Sequence, residues 1–247
     1  DNPLTMEYYQ SDEYRNAYNE TSSPSDYIEM HDNEQPSRLD RIGATFFRDK
    51  IVLDFGCGGG AFLDLVSGLS RETLGIEPFS GYHESLIDRG HEMFSNMETA
   101  QSKYKDKVDS IVSFCVLEHV QNPQQYLKDA CSLLKKSGKM YLETDNIHNI
   151  LMKFNINSFD EFFYRTAHLY YFEDKTLRKM AEQAGFSDIR ISFRHNYDMS
   201  NVMLWLRDNK PTGNGKLDFL SNGVDQNWIE FVESSGLADL VCIEMTK

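Results

Sequence analysis

The stretch that decides the fold is Val52-Leu53-Asp54-Phe55-Gly56-Cys57-Gly58-Gly59-Gly60. A short apolar run that ends in an acidic residue predicts a buried strand, and the glycines after it predict a tight turn into a helix. Glycine tolerates positive φ and has no Cβ, so a ligand can approach the backbone closely. The unpaired N–H groups at the start of the next helix favour a polar or anionic group. The stretch therefore predicts a cofactor-binding loop.

The spacing of the glycines fits two classes of cofactor. The pyrophosphate of a dinucleotide usually lies on Gly-x-Gly-x-x-Gly, whereas S-adenosylmethionine often lies on Asp/Glu-x-Gly-x-Gly-x-Gly. Glycines at 56, 58 and 60 after Asp54 favour the second class. Glu77 ends a second apolar run, about 20 residues beyond the loop, where a carboxylate can bind ribose hydroxyls. Both cofactor classes use such an acid, so Glu77 does not separate them.

Three motifs together resemble those of class I S-adenosylmethionine-dependent methyltransferases. They are Leu53-Asp-Phe-Gly-Cys-Gly-Gly-Gly60, Gly75-Ile-Glu-Pro78 and Val116-Leu-Glu-His-Val-x-x-Pro123. The later segments His168-Leu-Tyr-Tyr-Phe172 and Gln183-Ala-Gly-Phe186 resemble the small-molecule branch that is common in polysaccharide and natural-product pathways. The resemblance covers roughly residues 35–210, and it is more specific for the cofactor than for the methyl acceptor.

The resemblance implies a Rossmann-like α/β fold, with a seven-stranded, mostly parallel sheet, an antiparallel last strand and helices on both faces. The hydrophobic pattern agrees, because apolar strands alternate with helical segments. The predicted strands are 51–56, 73–77, 92–95, 109–114, 139–144, 189–193 and 237–245. The predicted helices are 34–48, 60–68, 82–89, 97–105, 123–136, 174–184, 200–208 and 227–234.

Three segments fall outside the minimal sheet. Residues 1–34 are rich in tyrosine, residues 147–172 are dense in aromatic side chains, and residues 198–235 contain an amphipathic helix. Ligands in such folds lie beyond the carboxyl ends of the strands, where these segments leave the sheet. We expect 1–34 to form an N-terminal lid on a methyltransferase domain at 35–247, and the two insertions to form the acceptor lid. The alternative is a homodimer contact through the aromatic insertion.

The cofactor site is assigned from these motifs. The glycines would lie against the methionine part, Asp54 would orient the loop or bind the amino group, and Glu77 would bind the ribose. The resemblance implies that Asn96 and Met97 flank the adenine, with Phe114 and Leu117 on its other face; Met97 also fits ordinary core packing. The assigned cofactor residues are Asp54, Gly56, Cys57, Gly58, Gly60, Glu77, Pro78, Asn96, Met97, Phe114 and Leu117.

A hydroxyl acceptor must lose its proton during methyl transfer, so a histidine base is expected. His119 follows the fourth strand and His168 lies in the aromatic insertion, and these two are the predicted catalytic residues. His195 ends a later strand on the same side. Each of the three also fits a histidine that only braces the lid. The other four histidines are assigned to the surface or to loops, and no metal site is predicted.

The charge of the 247-residue chain constrains the acceptor. The chain has 25 basic and 39 acidic residues, a net charge of −14, which disfavours nucleic acid as a partner. Residues 151–216 carry +2, which leaves −16 for the remainder. This contrast predicts a phosphorylated small acceptor, such as a nucleotide-linked sugar or a related polysaccharide precursor; ordinary solvated faces are the alternative. The predicted acceptor-binding residues are Tyr170, Tyr171, Arg194, His195, Tyr197 and Arg207.

Composition also bounds the class of protein. No apolar run reaches the roughly 20 residues of a membrane span, and the N-terminus is polar and acidic, so a cytoplasmic enzyme without a membrane partner is expected. Two competing functions stay open. A Rossmann oxidoreductase shares the glycines and both acids but does not account for Leu117-Glu-His-Val120. A non-catalytic S-adenosylmethionine-binding protein would keep the loop without an acceptor pocket. The sequence does not distinguish among methylation of oxygen, of nitrogen and of carbon.

Overall fold

The computed structural model describes Tyr8 and residues 21–213, 215–220 and 222–247. Its strands are β1 Ile51–Phe55, β2 Glu72–Ile76, β3 Glu92–Phe94, β4 Val108–Phe114, β5 Leu134–Asp145, β6 Ser187–Arg194 and β7 Leu240–Thr246. These strands form one seven-stranded sheet in the order β3-β2-β1-β4-β5-β7-β6. Three tyrosines of the predicted N-terminal lid, Tyr9, Tyr14 and Tyr18, lie outside the described residues.

The sheet is parallel from β3 to β5, and β7 runs antiparallel to both of its neighbours. The predicted Rossmann-like sheet with an antiparallel last strand is confirmed. The strand order reverses between β1 and β4. A crevice for a ligand forms at this switch point, because the connections from the two strands leave in opposite directions.

Helices cover both faces of the sheet and extend from its carboxyl edge. They are α1 Pro24–His31, α2 Gln35–Ile42, α3 Ala61–Ser67, α4 His83–Asp88, α5 Met97–Tyr104, α6 Pro123–Leu133, α7 Asn157–Phe163, α8 Asp174–Ala184, α9 Met199–Asp208 and α10 Asn222–Ser234. Asn122 caps α6 by accepting a hydrogen bond from the Gln125 N–H, and Gly185 ends α8 with a positive φ.

Two predicted helices end earlier than the sequence pattern indicates. The helix predicted at 123–136 stops at Leu133, because Leu134 is extended and pairs with Val108 in the sheet. The carbonyl of Leu133 accepts a hydrogen bond from the Lys107 N–H, which fixes this exit. The helix predicted at 34–48 stops at Ile42, because Gly43 follows with φ of +87°.

The two insertions share an apolar cluster of their own. Residues 150–154 form a 3₁₀ turn ahead of α7, and these segments pack against α9 and α10. Leu151, Phe159, Trp205 and Val232 are buried together there. The insertions therefore form one packed unit beside the main core. No helix in the described ranges is both long enough and apolar enough to span a membrane.

Candidate active site

A cavity of about 970 Å³ opens at the carboxyl ends of β1 and β4. Its lining includes the glycine loop after β1, residues at the ends of β2 and β4, and aromatic side chains of the two insertions. The aromatic part consists of Phe159, Phe162, Phe163, Tyr197 and Trp205. One cavity thus joins the predicted cofactor loop to the predicted acceptor lid.

The glycine loop has the geometry that its sequence predicts. Gly56, Gly58 and Gly60 have φ of +74°, +51° and +86°. A Cβ on Gly58 would overlap the ring of Tyr27, and one on Gly56 would overlap Val116. Gly56 and Gly58 line the cavity together with Cys57, whereas Gly60 begins α3 and packs against Leu86. Gly60 therefore shapes the turn rather than the cavity wall.

Asp54 is a buried carboxylate at the floor of the cavity. Its side chain is 3 % exposed, and Oδ1 has no hydrogen-bond partner among the described residues. Burial raises the pKa of Asp54 to about 7, although the nearby Arg38 lowers it. An ammonium group bound at this point would satisfy the unpaired oxygen. This fits the predicted contact with the amino group of S-adenosylmethionine.

Glu77 braces the glycine loop while facing the cavity. Its Oε2 accepts a hydrogen bond from the Gly58 N–H at 3.1 Å, and Oε1 accepts one from the Phe79 N–H at 2.8 Å. A carboxylate oxygen can accept more than one hydrogen bond, so Glu77 is compatible with the predicted contact to the ribose hydroxyls. Pro78 and Asn96 line the same part of the cavity, and Asn96 also caps α5.

The predicted adenine contacts divide into two groups. Met97 and Phe114 line the cavity, and the guanidinium carbon of Arg38 lies 4.3 Å from the centre of the Phe114 ring. Leu117 does not line the cavity, because it is fully buried in the main core. Val116 lines the cavity instead, so the prediction for Leu117 is corrected by one residue.

The two predicted catalytic histidines come together on the cavity wall. Their ring centres lie 4.8 Å apart, edge to face. His119 Nδ1 lies 2.9 Å from the Ala167 carbonyl oxygen, so Nδ1 carries the proton and donates. Burial, followed by the neighbouring His168, lowers the pKa of His119 to about 4. His168 Nδ1 lies 2.8 Å from Asp145 Oδ2, although the angle does not make this contact a hydrogen bond.

Glu118 lies beside this histidine pair. It is almost fully buried, and its Oε2 accepts a hydrogen bond from the Thr144 hydroxyl at 2.7 Å. Burial and the neighbouring Asp145 raise the pKa of Glu118 to about 8. One ligand atom from each of Glu118, His119 and His168 lies within 4.8 Å of the other two, a grouping that is also compatible with a divalent cation. Glu118 does not cap α6, since Asn122 does.

Four of the predicted acceptor contacts lie elsewhere. Arg194 is buried against Glu143, with Nη1 to Oε2 at 2.7 Å, and shares this carboxylate with Arg38; these contacts keep Arg194 out of the cavity lining. Arg207 is exposed, pairs with Asp208 and is absent from the lining. Tyr170 and Tyr171 donate hydrogen bonds to backbone carbonyls and brace the aromatic insertion. These four predictions are corrected, because local partners hold each side chain away from the cavity.

His195 and Tyr197 do line the cavity. His195 Nδ1 lies 3.0 Å from Asp239 Oδ1, and Asp239 lies in the lining as well. Sequence reasoning missed Asp145 and Asp239. Both had a usable signal: Asp145 ends β5, and Asp239 immediately precedes the antiparallel β7, whose amino end lies at the same edge of the sheet.

The N-terminal segment also contributes to the cavity. Tyr27, His31 and Gln35 line it, and the Tyr27 ring packs against His31 and Tyr82 at centroid distances of 4.3 and 5.4 Å. Tyr27 is the aromatic residue that covers Gly58 and Gly59.

His91, which the sequence places on the surface, is buried and bonded to Thr73 and Asp64, because α4 returns the chain to the sheet there.

Comparison with known proteins identifies the family. A family model described as "Methyltransferase domain" matches residues 28–191. The chain belongs to this methyltransferase family. The ubiquinone biosynthesis O-methyltransferase of Yersinia enterocolitica is 31 % identical over 125 residues, which cover 45 % of this chain and 50 % of that protein. The chain spans about half the length of the curated relatives it matches.

Solved methyltransferase structures share the fold over most of the chain. A SAM-dependent methyltransferase from Archaeoglobus fulgidus has a TM-score of 0.62 at 20 % identity, covering 95 % of this chain and 98 % of that one. Phosphoethanolamine N-methyltransferase 2 of Haemonchus contortus, in complex with phosphomonomethylethanolamine and S-adenosylhomocysteine, has a TM-score of 0.58 at 15 % identity, covering 95 % and 60 %. The predicted class I fold and its cofactor, S-adenosylmethionine, are confirmed.

Proposed function

We propose that this methyltransferase transfers the methyl group of S-adenosylmethionine to a hydroxyl oxygen of a small acceptor. The observation that carries the proposal is the single cavity, which has an unpaired acid at the cofactor loop, histidine–carboxylate pairs on its wall and an aromatic compartment. The match to the methyltransferase family model, rather than the shape of this cavity, argues against an oxidoreductase. A neutral amine acceptor does not need the base.

The cofactor supplies an activated methyl group on a sulfonium sulfur. Asp54 would hold its ammonium, Glu77 its ribose hydroxyls, and Met97 and Phe114 its adenine. In the transfer step the acceptor oxygen would take the methyl group in line with the bond from carbon to sulfur, and S-adenosylhomocysteine would be the other product. The hydroxyl proton passes to a base on the protein.

His168 is the better base of the predicted pair. Asp145 lies next to its Nδ1 and would stabilise the imidazolium that forms. His119 has a lowered pKa of about 4, so it stays neutral and is poorly matched to accepting a proton at neutral pH. We assign His119 to packing against His168 and to hydrogen bonding with the acceptor.

The acceptor compartment favours an apolar or aromatic ring over a nucleotide-linked sugar. Arg194 and Arg207, the arginines proposed to meet phosphates, are held by Glu143 and Asp208. Arg38 and Arg165 line the cavity, and Arg38 is paired with Glu143. The curated relatives named above are ubiquinone biosynthesis O-methyltransferases, whereas the Haemonchus contortus structural neighbour binds phosphomonomethylethanolamine. We therefore propose an unphosphorylated ring compound first and keep a phosphorylated acceptor as the second candidate.

The test is a methylation assay with a panel of phenols, catechols, small amines and nucleotide sugars, followed by His168→Gln on the best acceptor. Turnover should fall about 10²–10⁴-fold while the dissociation constant of S-adenosylhomocysteine stays near wild type. His148→Gln is the matched control, because His148 also contacts a carboxylate but lies outside the cavity. Unchanged turnover in His168→Gln would contradict the assignment of the base.

Turnover measured with a chelator shows whether His168 acts as a base or as a metal ligand. With His168 as a base, turnover should be unaffected by EDTA. Loss of turnover on chelation and recovery with Mg²⁺, Mn²⁺ or Zn²⁺ would instead assign Glu118, His119 and His168 to a cation. A panel in which only amines are methylated would overturn the proposed oxygen acceptor.

A further inference from the structure

His195 has an unsatisfied nitrogen in the wall of the acceptor compartment. The residue is 7 % exposed, and its Nε2 is closed to bulk solvent and lacks a hydrogen-bond partner among the described residues. Leaving a buried polar atom unpaired is unfavourable, so such atoms in native proteins usually have a functional or solvent partner. Nε2 is covered in the ligand-free protein, but His195 lines the cavity, so a small shift of the ring on binding would bring Nε2 against a bound molecule.

Asp239 fixes which nitrogen carries the proton. Its Oδ1 lies 3.0 Å from His195 Nδ1, and the Asn196 N–H and Nδ2 donate to the same carboxylate at 3.0 and 2.8 Å. The backbone N–H of Asp239 also lies 3.4 Å from the same Nδ1, a contact that would require the opposite tautomer. The contact with the carboxylate is shorter and charge-assisted, so we assign the hydrogen to His195 Nδ1. The lone pair of the imidazole therefore lies on the unpaired Nε2, which can only accept a hydrogen bond while the ring is neutral.

No neighbouring group satisfies this lone pair. The ring centres of Tyr197 and Trp228 each lie 6.3 Å from that of His195. The indole Nε1 of Trp228 is itself buried without a partner, so the two orphaned atoms do not bond to each other. The Glu233 carboxylate accepts the His195 backbone N–H at 3.0 Å, which holds the residue in place without using its ring.

We propose that His195, oriented by Asp239, accepts a hydrogen bond from an O–H or N–H group of the methyl acceptor. This contact would determine which small molecules the enzyme methylates. This inference rests on the proposed function and deepens it. The acceptor class becomes a ring compound with a hydroxyl that reacts near His168 and a second O–H or N–H that donates to His195 Nε2. A site built to bond such a donor rejects analogues that lack it by roughly 10⁴–10⁵-fold, since the buried atom is then left unpaired.

The first experiment needs no substrate. ¹⁵N-histidine-labelled protein saturated with S-adenosylhomocysteine is titrated with phenol and with anisole, which has a similar shape but no donor. Phenol should shift the His195 Nε2 resonance in a saturable way, and anisole should not. Asp239→Asn should weaken the phenol response about tenfold, while His148→Gln should leave it unchanged. Bound S-adenosylhomocysteine in every variant shows that the fold is intact.

Two outcomes overturn the inference. One is a His195 resonance that responds equally to both probes or to neither. The other is a direct coupling between His195 Nε2 and the Trp228 indole proton, which would show that the two satisfy each other in solution. The proposed function fails separately, when the methylation panel yields no O-methylated product. With an acceptor in hand, His195→Leu should reduce the preference for acceptors with the second donor over those without it.

Discussion

At the scale of single residues, the site is built from polar groups that the fold buries before any ligand arrives. Asp54 ends β1 beneath the glycine loop with one oxygen unpaired. His195 keeps a lone pair without a donor in the acceptor compartment. Each costs stability in the ligand-free protein, and we propose that a complementary group of a bound molecule satisfies each. Asp54 and His195 line the same cavity, and this arrangement favours a catalytic role over cofactor binding alone.

Asp54 should make cofactor binding depend on pH. Burial raises the pKa of this carboxyl to about 7 in the free protein, so the ionised form that pairs with an ammonium is scarce below that pH. Affinity for S-adenosylhomocysteine should rise from pH 5 to 7, by up to about tenfold per unit, and level off above pH 7. Calorimetric titration measures this, and Asp54→Asn should bind more weakly with a flat profile. A sloping profile in that variant would assign the effect to another group.

The same shift has a consequence for stability. The folded pKa of Asp54 lies above its unfolded value, so the folded state binds the extra proton between about pH 4 and 7. The contribution of this group to stability is therefore greatest at low pH and is lost as the pH rises through 7. The ligand-free Asp54→Asn variant should lack this part of the pH dependence in thermal unfolding.

Gly58 should tolerate no side chain. Its φ of +51° is strained for a branched residue, and a Cβ would overlap the Tyr27 ring above the loop. Gly58→Val should abolish measurable binding of S-adenosylhomocysteine. Gly68→Val is the matched control, because Gly68 ends α3 with φ of −67° and open space around its Cβ. Equal loss in both variants would point to a general folding defect rather than to the loop.

At the scale of elements, α1 acts as a cover for the cofactor loop. None of its residues is fully buried, so the helix is held chiefly through contacts such as those of Tyr27 with the glycines and Tyr82. Few buried contacts make an element easy to open. We therefore expect the cofactor to enter by displacement of α1, while the sheet and the insertion cluster stay closed.

Tyr27→Ala should speed release of the cofactor. Removing the ring opens the space over Gly58 and Gly59, so the dissociation rate of S-adenosylhomocysteine should rise about tenfold with a smaller change in the association rate. Stopped-flow displacement measures both rates. Met30→Ala on the same helix is the control, since Met30 is 49 % exposed. An unchanged dissociation rate in Tyr27→Ala would remove the helix from the path of release.

At the scale of the whole molecule, the charge of −14 disfavours the binding of polyanions. Three cations of the positive stretch at 151–216 have carboxylate partners: Arg194 pairs with Glu143, Arg207 with Asp208 and Lys216 with Asp198. Arg165 of the same stretch lines the cavity. Counting charges along the chain treats the three paired cations as available to a phosphate, although their neighbours in the fold partly offset their charge.

The protein should therefore show no binding to nucleic acid. A gel-shift titration with duplex DNA or a single-stranded RNA at low salt should leave the probe free, because neutralising phosphates requires a cluster of unpaired cations. A basic DNA-binding protein in the same buffer is the positive control. Retardation that disappears with added salt would reveal a cationic surface and reopen the question of the acceptor class.

The sequence by itself determined the fold and the cofactor. Glycines at 56, 58 and 60, the acids at 54 and 77, and the apolar alternation of the strands act through local backbone geometry, which depends on neighbours along the chain. The ends of α2 and α6 were harder to predict, because the exit from α6 is set by pairing with Val108, more than 20 residues away in the chain.

Only the tertiary structure decided the acceptor side. The two histidine–carboxylate pairs, His168 with Asp145 and His195 with Asp239, join residues that are far apart in sequence. They meet because the carboxyl end of β5 and the amino end of the antiparallel β7 lie at the same edge of the sheet. The sequence leaves Arg194 available to a ligand, whereas the folded protein pairs it with Glu143. Long-range pairing cannot be read from composition or spacing, since it depends on which side chains the sheet register places face to face.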